Sequence, residues 1–274
     1  MKLDDVKKLH QKKYRALLGY YLVEGEHLVL ELQKAERQKA SAYKEVIGEA
    51  APKSVKLFVT EEYEAWANQL NANFSIFTVN KKQMAQMSDT KTPQGIIACV
   101  PLPNLRSEYD MNSQVIQPQE TGVANGRNEI ERCIYLHEVQ DPGNLGTILR
   151  TLAWFGHFRL LLSPNSVDPF NPKVVRSSMG AIFHVPIELD VALSDLQTRF
   201  KRFAYLDMQG SKVNAKEFAR YDCYLFGNEA RGVPSDALSA FDADAFTIPG
   251  SGTIDSLNLA SAVNICVYQL SMEV

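Results

Sequence analysis

Three short segments carry the residue types best suited to chemistry. Asp141-Pro142-Gly143-Asn144-Leu145-Gly146-Thr147-Ile148-Leu149-Arg150 joins a Pro-Gly turn to an amide, Asn144, and places a guanidinium, Arg150, beyond it. The segment Leu225 to Pro234 sets Glu229 between Gly227 and Gly232, with Asn228 and Arg231 as neighbours. The third runs from Ile248-Pro249 through the glycine-rich stretch Gly250-Ser251-Gly252 to Ser256-Leu257-Asn258 and the small residues Ala260, Ser261 and Ala262. Amide, guanidinium, carboxylate and hydroxyl groups together can hold a polar substrate, clamp a phosphate and stabilise a developing oxyanion. The chain shows no Ser–His–Asp signature, no HExxH, no GxxxxGK[ST] and no GxGxxG, so protease, Walker and Rossmann readings have little support.

Each of these residues also has a plain structural reading. Asn144 is a good N-cap for a helix over about 144–156, and Ser256 or Asp255 for a last helix with Asn258 in its first turn. Glycines at 227 and 232 suit a tight turn or a close backbone approach. Arg150 could be a solvated helical arginine, although Leu149, Leu152 and Trp154 surround it.

The elements that must position these segments alternate. Over residues 1–103 the pattern predicts a helix over 2–18, a strand at 20–23, a helix over 26–39 and a strand at 55–59. A helix over 61–70 capped by Thr60, a strand at 74–79, a short helix over 81–87 and an apolar strand at 96–100 complete a small α/β sandwich. Residues 104–130, rich in Asn, Gln, Ser and Gly, read as a linker. From 131 to 274, strands at 133–136, 159–162, 185–188, 203–208, 221–227 and 246–249 alternate with helices over 144–156, 171–180, 192–202 and 256–270. That alternation predicts an α/β domain with a mostly parallel sheet and its ligand site beyond the carboxyl ends of the strands, where all three segments fall.

At 274 residues the chain suits two domains, and a 45% hydrophobic content supports packed cores. No apolar run of membrane-spanning length occurs, and the charged start Met1-Lys2-Leu3-Asp4-Asp5 lacks a signal core. Cys99, Cys133, Cys223 and Cys266 fit neither a zinc site nor a redox pair, which points to buried free thiols, no metal and a cytoplasmic location. The formal net charge of −3 hides an uneven distribution. Residues 1–104 hold 15 Lys and Arg against 12 Asp and Glu, and Lys7, Lys8, Lys12, Lys13 and Arg15 cluster near the start. Such a stripe is either a solvated helix face or a phosphate-binding surface.

Taken together and in order, Asn144-x-Gly146-x-x-x-Arg150, Gly227-x-Glu229-x-x-Gly232 and Ile248-Pro249 with Ser256-Leu257-Asn258 resemble the three motifs of the SpoU/TrmH family of RNA ribose 2′-O-methyltransferases. The stretch Asn171 to Phe183 is similar to the family's intermediate region, and residues 1–103 resemble the ribosomal-protein-L30e-like substrate-binding domain that often precedes it. The resemblance implies a deep trefoil knot in the C-terminal domain, a homodimer with the final helix in the interface, and S-adenosylmethionine as methyl donor. It implies Asn144, Arg150, Glu229, Ser256 and Asn258 as catalytic residues, with Gly227, Asn228, Ile248 and Leu257 lining the cofactor. Arg150 would clamp a phosphate and stabilise the developing alkoxide, since a guanidinium rarely gives up its proton. Glu229 would orient Arg150 or its partners. Arg231 and the basic N-terminal cluster would contact RNA, ribosomal RNA before transfer RNA. Gly250 departs from the methionine usual after Ile-Pro. A non-catalytic RNA-binding protein of the same fold and a small-molecule enzyme with a flavodoxin-like sheet are the alternatives.

Overall fold

A computed structural model describes residues 1–43, 54–70, 74–103, 120–121 and 129–272. The chain forms two compact units. The first comprises residues 1–103 with 168–184, and the second residues 104–167 with 185–274.

The first unit begins with α1 (Leu3–Lys8) and α2 (Lys12–Leu18), so the single helix expected over 2–18 is two helices that meet at a corner. β1 (Tyr20–Glu24), α3 (Glu26–Tyr43), β2 (Lys56–Val59), α4 (Glu61–Asn68), β3 (Ser75–Thr78), α5 (Lys81–Met87) and β4 (Ile96–Pro101) follow. The sheet order is β1-β4-β2-β3, antiparallel except for the parallel β2–β3 pair. Val6 and Leu9 pack with Tyr20, Phe58, Met84, Met87 and Ile97 in one core. Each such burial contributes roughly 1.5–3 kcal/mol relative to exposure. Thr60 precedes α4 as expected, but its side chain makes no cap bond and its buried hydroxyl has no partner among the described residues.

The segment 168–184, which the sequence assigns to the C-terminal domain, packs in the first unit. It holds α7 (Pro172–Ser177), capped by Asn171, and a 3₁₀ turn at Ala181–Phe183. The helix expected to reach 180 stops early, because Met179 and Gly180 turn left-handed at φ 51° and 94°. A Cβ on Gly180 would lie 2.7 Å from Glu31 Cβ, so glycine is what lets this turn approach α3. Tyr21 and Phe170 stack obliquely at 4.8 Å between ring centroids.

Arg15 is the pin of this unit. It is 3% exposed. Its guanidinium donates to the carbonyls of Leu9 and His10 at 2.8 and 2.9 Å, and its Nε to Asp168 at 3.0 Å. The expectation that Arg15 contacts RNA is therefore wrong. Its charge is spent on an inward ion pair and on the α1–α2 corner, where no phosphate can reach it.

In the second unit, the expected linker 104–130 lies outside the described residues apart from β5 (Glu120–Thr121) and the pair at its end, β6 (Glu129–Ile130). β7 (Arg132–Leu136), α6 (Pro142–Phe155), β8 (Phe158–Leu162), β9 (Ile187–Glu188), α8 (Leu193–Arg199) and β10 (Phe203–Lys212) come next. A 3₁₀ turn at Lys216–Arg220, then β11 (Cys223–Phe226), α9 (Ser235–Leu238), β12 (Ala243–Thr247) and α10 (Leu259–Met272) complete it. The sheet order is β12-β10-β11-β7-β8-β9 and every pairing is parallel. The chain moves outward from β7 through β8 to β9, then returns to the other side. That reversal makes the carboxyl ends of β7 and β11 the place where a ligand fits.

α6 forms because Asp141 caps it, Pro142 opens it, and Leu145, Ile148, Leu149 and Leu152 recur at helical spacing and are all buried. Gly156 ends it at φ 70°. α10 packs on α6, and its Leu259, Val263, Cys266, Val267 and Leu270 are buried. All four cysteines are free and buried, as their contexts suggest. Among the described residues no helix is long and apolar enough to cross a membrane.

Candidate active site

The sheet's carboxyl edge brings the three segments together around one carboxylate. Glu229 follows β11, and its side chain accepts from the backbone N–H groups of Gln140 and Asp141, both at 3.1 Å, in the loop after β7. It also accepts from Asn144 Nδ2 at 3.2 Å. Asn144 Oδ1 in turn accepts from Asn258 Nδ2 at 2.9 Å. Asn258 Oδ1 then accepts the N–H groups of Ala260 and Ser261 at 3.0 and 3.3 Å. One polar relay thus joins the ends of β7 and β11 to the first turn of α10. Three donors thus fix the position of the Glu229 carboxylate.

The capping roles differ from those expected. Asp141, not Asn144, caps α6, accepting the Asn144 N–H at 2.8 Å. The Asp-Pro-Gly order could have signalled this, since proline favours the first helical position and leaves the aspartate before it as cap. Asn144 is thereby freed to spend its carboxamide across the loops. Asn258, not Ser256 or Asp255, caps α10, which starts at Leu259. Ser256 is exposed on the preceding loop.

Arg150 sits on α6, exposed, outside this relay. Six helical residues turn about 240° and rise about 9 Å. Asn144 and Arg150 therefore do not share a face. Among the described residues Glu229 bonds Asn144 and the loop backbone, and does not reach Arg150.

The loop after β11 is rigid for stated reasons. A Cβ on Gly227 would lie 2.2 Å from the Gly232 carbonyl carbon and 2.4 Å from Val233 N, so only glycine allows the loop to close on itself. Asn228 is buried; its Oδ1 accepts from the N–H groups of Ala230 and Arg231 at 3.0 Å and its Nδ2 donates to the Glu138 carbonyl at 2.6 Å. Arg231 pairs with the Glu138 carboxylate. Glu138 itself is left-handed at φ 50°, held there by these bonds and by its N–H donating to Ser163 Oγ at 2.7 Å. Strain of this kind concentrates at functional sites. His137, at the end of β7, donates its N–H to the Phe226 carbonyl at 2.9 Å. Burial pushes its imidazole pKa down, Glu138 opposes and Arg231 assists. Its buried Nδ1 has no partner among the described residues, a polar group that residue types alone did not single out.

The third segment leaves β12 at the sheet edge and ends beside Asn144, with β10 and β11 lying between. Ile248 is half-buried, while Ile254 and Leu257 are exposed large apolar side chains. Apart from the Thr253 N–H to Ser251 Oγ contact, the backbone of 249–257 makes no hydrogen bond among the described residues. Open backbone donors and acceptors beside exposed apolar side chains suit a flat heteroaromatic ligand with polar edges. Of the four residues expected to line a cofactor, Ile248 and Leu257 flank or lie in this open stretch, whereas Asn228 is buried and bonded to Gly232 through both its N–H and its carbonyl. A Cβ at Gly250 would meet nothing within 4 Å, so the departure from methionine leaves open space.

A parallel α/β sheet whose reversal point carries this carboxylate–amide relay has the architecture of a ligand-binding α/β domain. Residues 131–268 match the SpoU rRNA Methylase family and residues 2–98 the MRM3-like substrate binding domain. The chain belongs to the SpoU rRNA methylase family. It is 28% identical over 273 residues to the 23S rRNA (guanosine(2553)-2'-O)-methyltransferase RlmP of Bacillus subtilis, spanning 98% of this chain and 95% of that one. Its fold is that of the AdoMet-bound rRNA methyltransferase from Sinorhizobium meliloti, with a TM-score of 0.73, 24% identity and coverage of 99% and 94% of the two chains. It is also that of the SpoU methyltransferase AviRb from Streptomyces viridochromogenes in complex with AdoMet, with a TM-score of 0.77, 19% identity and coverage of 99% and 97%.

Proposed function

We propose that this chain transfers the methyl group of S-adenosylmethionine to a ribose 2′-hydroxyl of ribosomal RNA. The observation that carries the reading is the relay Glu229–Asn144–Asn258, which joins the three family motifs at the carboxyl ends of β7 and β11. S-adenosylmethionine supplies an electrophilic methyl group on a sulfonium. The loops 227–232 and 248–257 would hold it, through Gly227, Asn228, Ile248 and Leu257.

The protein's part is positioning, which can lower such a barrier substantially. Glu229 fixes the Asn144 carboxamide, whose second Nδ2 hydrogen remains to hold a ribose oxygen. Arg150, exposed and charged, would clamp a neighbouring phosphate and stabilise the developing alkoxide while the hydroxyl's proton passes to solvent water. Ser256 adds a hydroxyl to the same cleft. Arg231, Lys7, Lys8, Lys12 and Lys13 are exposed and suit phosphate contacts.

The domain reading follows: residues 1–103 bind substrate, 104–130 link, and 131–274 catalyse. A trefoil knot is supported by the path of 248–258, which crosses two strands before α10 packs on α6. A homodimer is supported by Ile265, Tyr268 and Met272, which share an exposed face of α10. Ala260 and Val267, on the same helix, are buried within the protomer. The buried free thiols suit a cytoplasmic location.

The test is methyl transfer from tritiated S-adenosylmethionine to deproteinised ribosomal RNA, with transfer RNA in parallel. The reading requires label in ribosomal RNA, recovered in alkali-stable dinucleotides, because a 2′-O-methyl group blocks backbone hydrolysis. Label confined to transfer RNA would move the substrate, and label in a base would overturn the reaction.

A further inference from the structure

The basic N-terminal corner contains an aromatic ring that the charge pattern did not bring out. Tyr14, half-buried on α2, has two ammonium groups near it: Lys8 Nζ is 5.8 Å and Lys13 Nζ 6.0 Å from its ring centroid. Both are at the outer limit of cation–π attraction. They are therefore held loosely and would yield the ring to a flat partner that brings its own anions. Leu17, one turn along from Tyr14 and from Lys13, is 72% exposed. Lys8 and Lys13 are exposed, as are Lys7 and Lys12 on the same two helices. Asp5, the acid beside Lys8, stays 3.8 Å from it.

The corner is built to hold its shape. Arg15, about 100° round α2 from Tyr14, points inward, and its bonds to the Leu9 and His10 carbonyls hold the corner between α1 and α2. Val6 and Leu9 seat α1 in the core. A ring with an exposed apolar neighbour and two exposed cations within about 6 Å of it matches an unpaired base flanked by two phosphates. An acidic protein segment would use the lysines and leave the ring idle. A paired RNA stem would do the same, because its bases are already stacked.

We propose that Tyr14 is a stacking platform for an unpaired base of the RNA substrate, with Leu17 beside it and Lys8 and Lys13 on the flanking phosphates. The proposal rests on the RNA-methylation reading but can fail separately from it.

The experiment measures binding of the full-length protein to fluorescein-labelled oligouridylate and to a fully paired RNA duplex, by anisotropy across a salt series. Tyr14→Leu keeps apolar bulk without a ring, and Tyr14→Phe keeps the ring; melting curves check that both fold. Tyr14→Leu is expected to weaken oligouridylate binding about tenfold with an unchanged salt slope. Tyr14→Phe should bind as the wild type does, and duplex binding should not respond to either change. Lys13→Gln should lower the slope by about one unit. Wild-type affinity in Tyr14→Leu, an equal loss on duplex, or no oligouridylate binding by the wild type would each overturn the platform. A wild type that passes these tests but transfers no methyl group to RNA would retain the platform and lose the reaction.

Discussion

The carboxamide oxygen of Asn144 accepts a 2.9 Å hydrogen bond from Asn258 across 114 residues of sequence, while its nitrogen donates to Glu229. Asn144 is therefore the middle of a chain of three side chains, and neither end can move without turning it. Glu229→Ala would release Asn144, Gln140 and Asp141 together. Methyl transfer should fall on the order of a hundredfold, the scale of losing one aligned polar group in a site. The affinity for S-adenosylmethionine, measured by calorimetry, should change far less. A loss shared equally by the two would place Glu229 in cofactor binding.

Arg150→Ala separates chemistry from architecture. Arg150 is exposed and outside the relay, so stability should stay within about 0.5 kcal/mol of wild type in urea unfolding. Single-turnover methyl transfer should be abolished with cofactor binding nearly intact. If transfer persists, the guanidinium has no part in the step.

Removing Arg15 should act on folding. Arg15→Met leaves Asp168 inward-facing without its cation and two carbonyls without their donor. Breaking one half of a buried pair costs about 3–5 kcal/mol. A clear drop in Tm is expected, while the salt slope of RNA binding stays as in the wild type. A lower slope would restore Arg15 to the RNA surface.

The two loop glycines should differ sharply. Gly227→Ala puts a Cβ 2.2 Å from backbone that cannot retreat, so the 228–232 loop must open and cofactor binding should be lost. Gly250→Met restores the family's residue in open space and should shift Tm by less than about 2 °C. Thermal melts with and without S-adenosylmethionine read both.

His137 gives the fold a pH dependence with a fixed sign. Burial holds its folded pKa below the ordinary value of 6.5. The unfolded chain therefore binds more protons just below that pH, and stability rises with pH there. The contribution is complete above 6.5 and is lost as pH falls toward the folded pKa. Urea unfolding from pH 5 to 7.5 should show the slope, and His137→Gln should flatten it.

Apolar runs and capped helices made the α/β class and most strands of the second unit legible. β7 and β8 each begin one residue before the expected position. The three motifs were legible as one site through their order, their spacing and the family resemblance, with strand ends as the place where such loops collect. What could not be read were partnerships over long separations. Arg15 looked like surface charge because its carboxylate lies 153 residues away. Asp255, Ser256 and Asn258 are all good caps, and only the position of Asn144 selects the last. Tyr14 carries no motif, and its meaning comes from where Lys8 and Lys13 fall around it.

The segment 168–184 also sets an order of events during synthesis. Arg15 and Tyr21 leave the ribosome early, yet Asp168 and Phe170 emerge only after much of the second unit. The first unit must wait for about 80 further residues beyond position 103, several seconds at about 5–20 residues per second. Until then Arg15 lacks the Asp168 carboxylate and Tyr21 lacks the Phe170 ring.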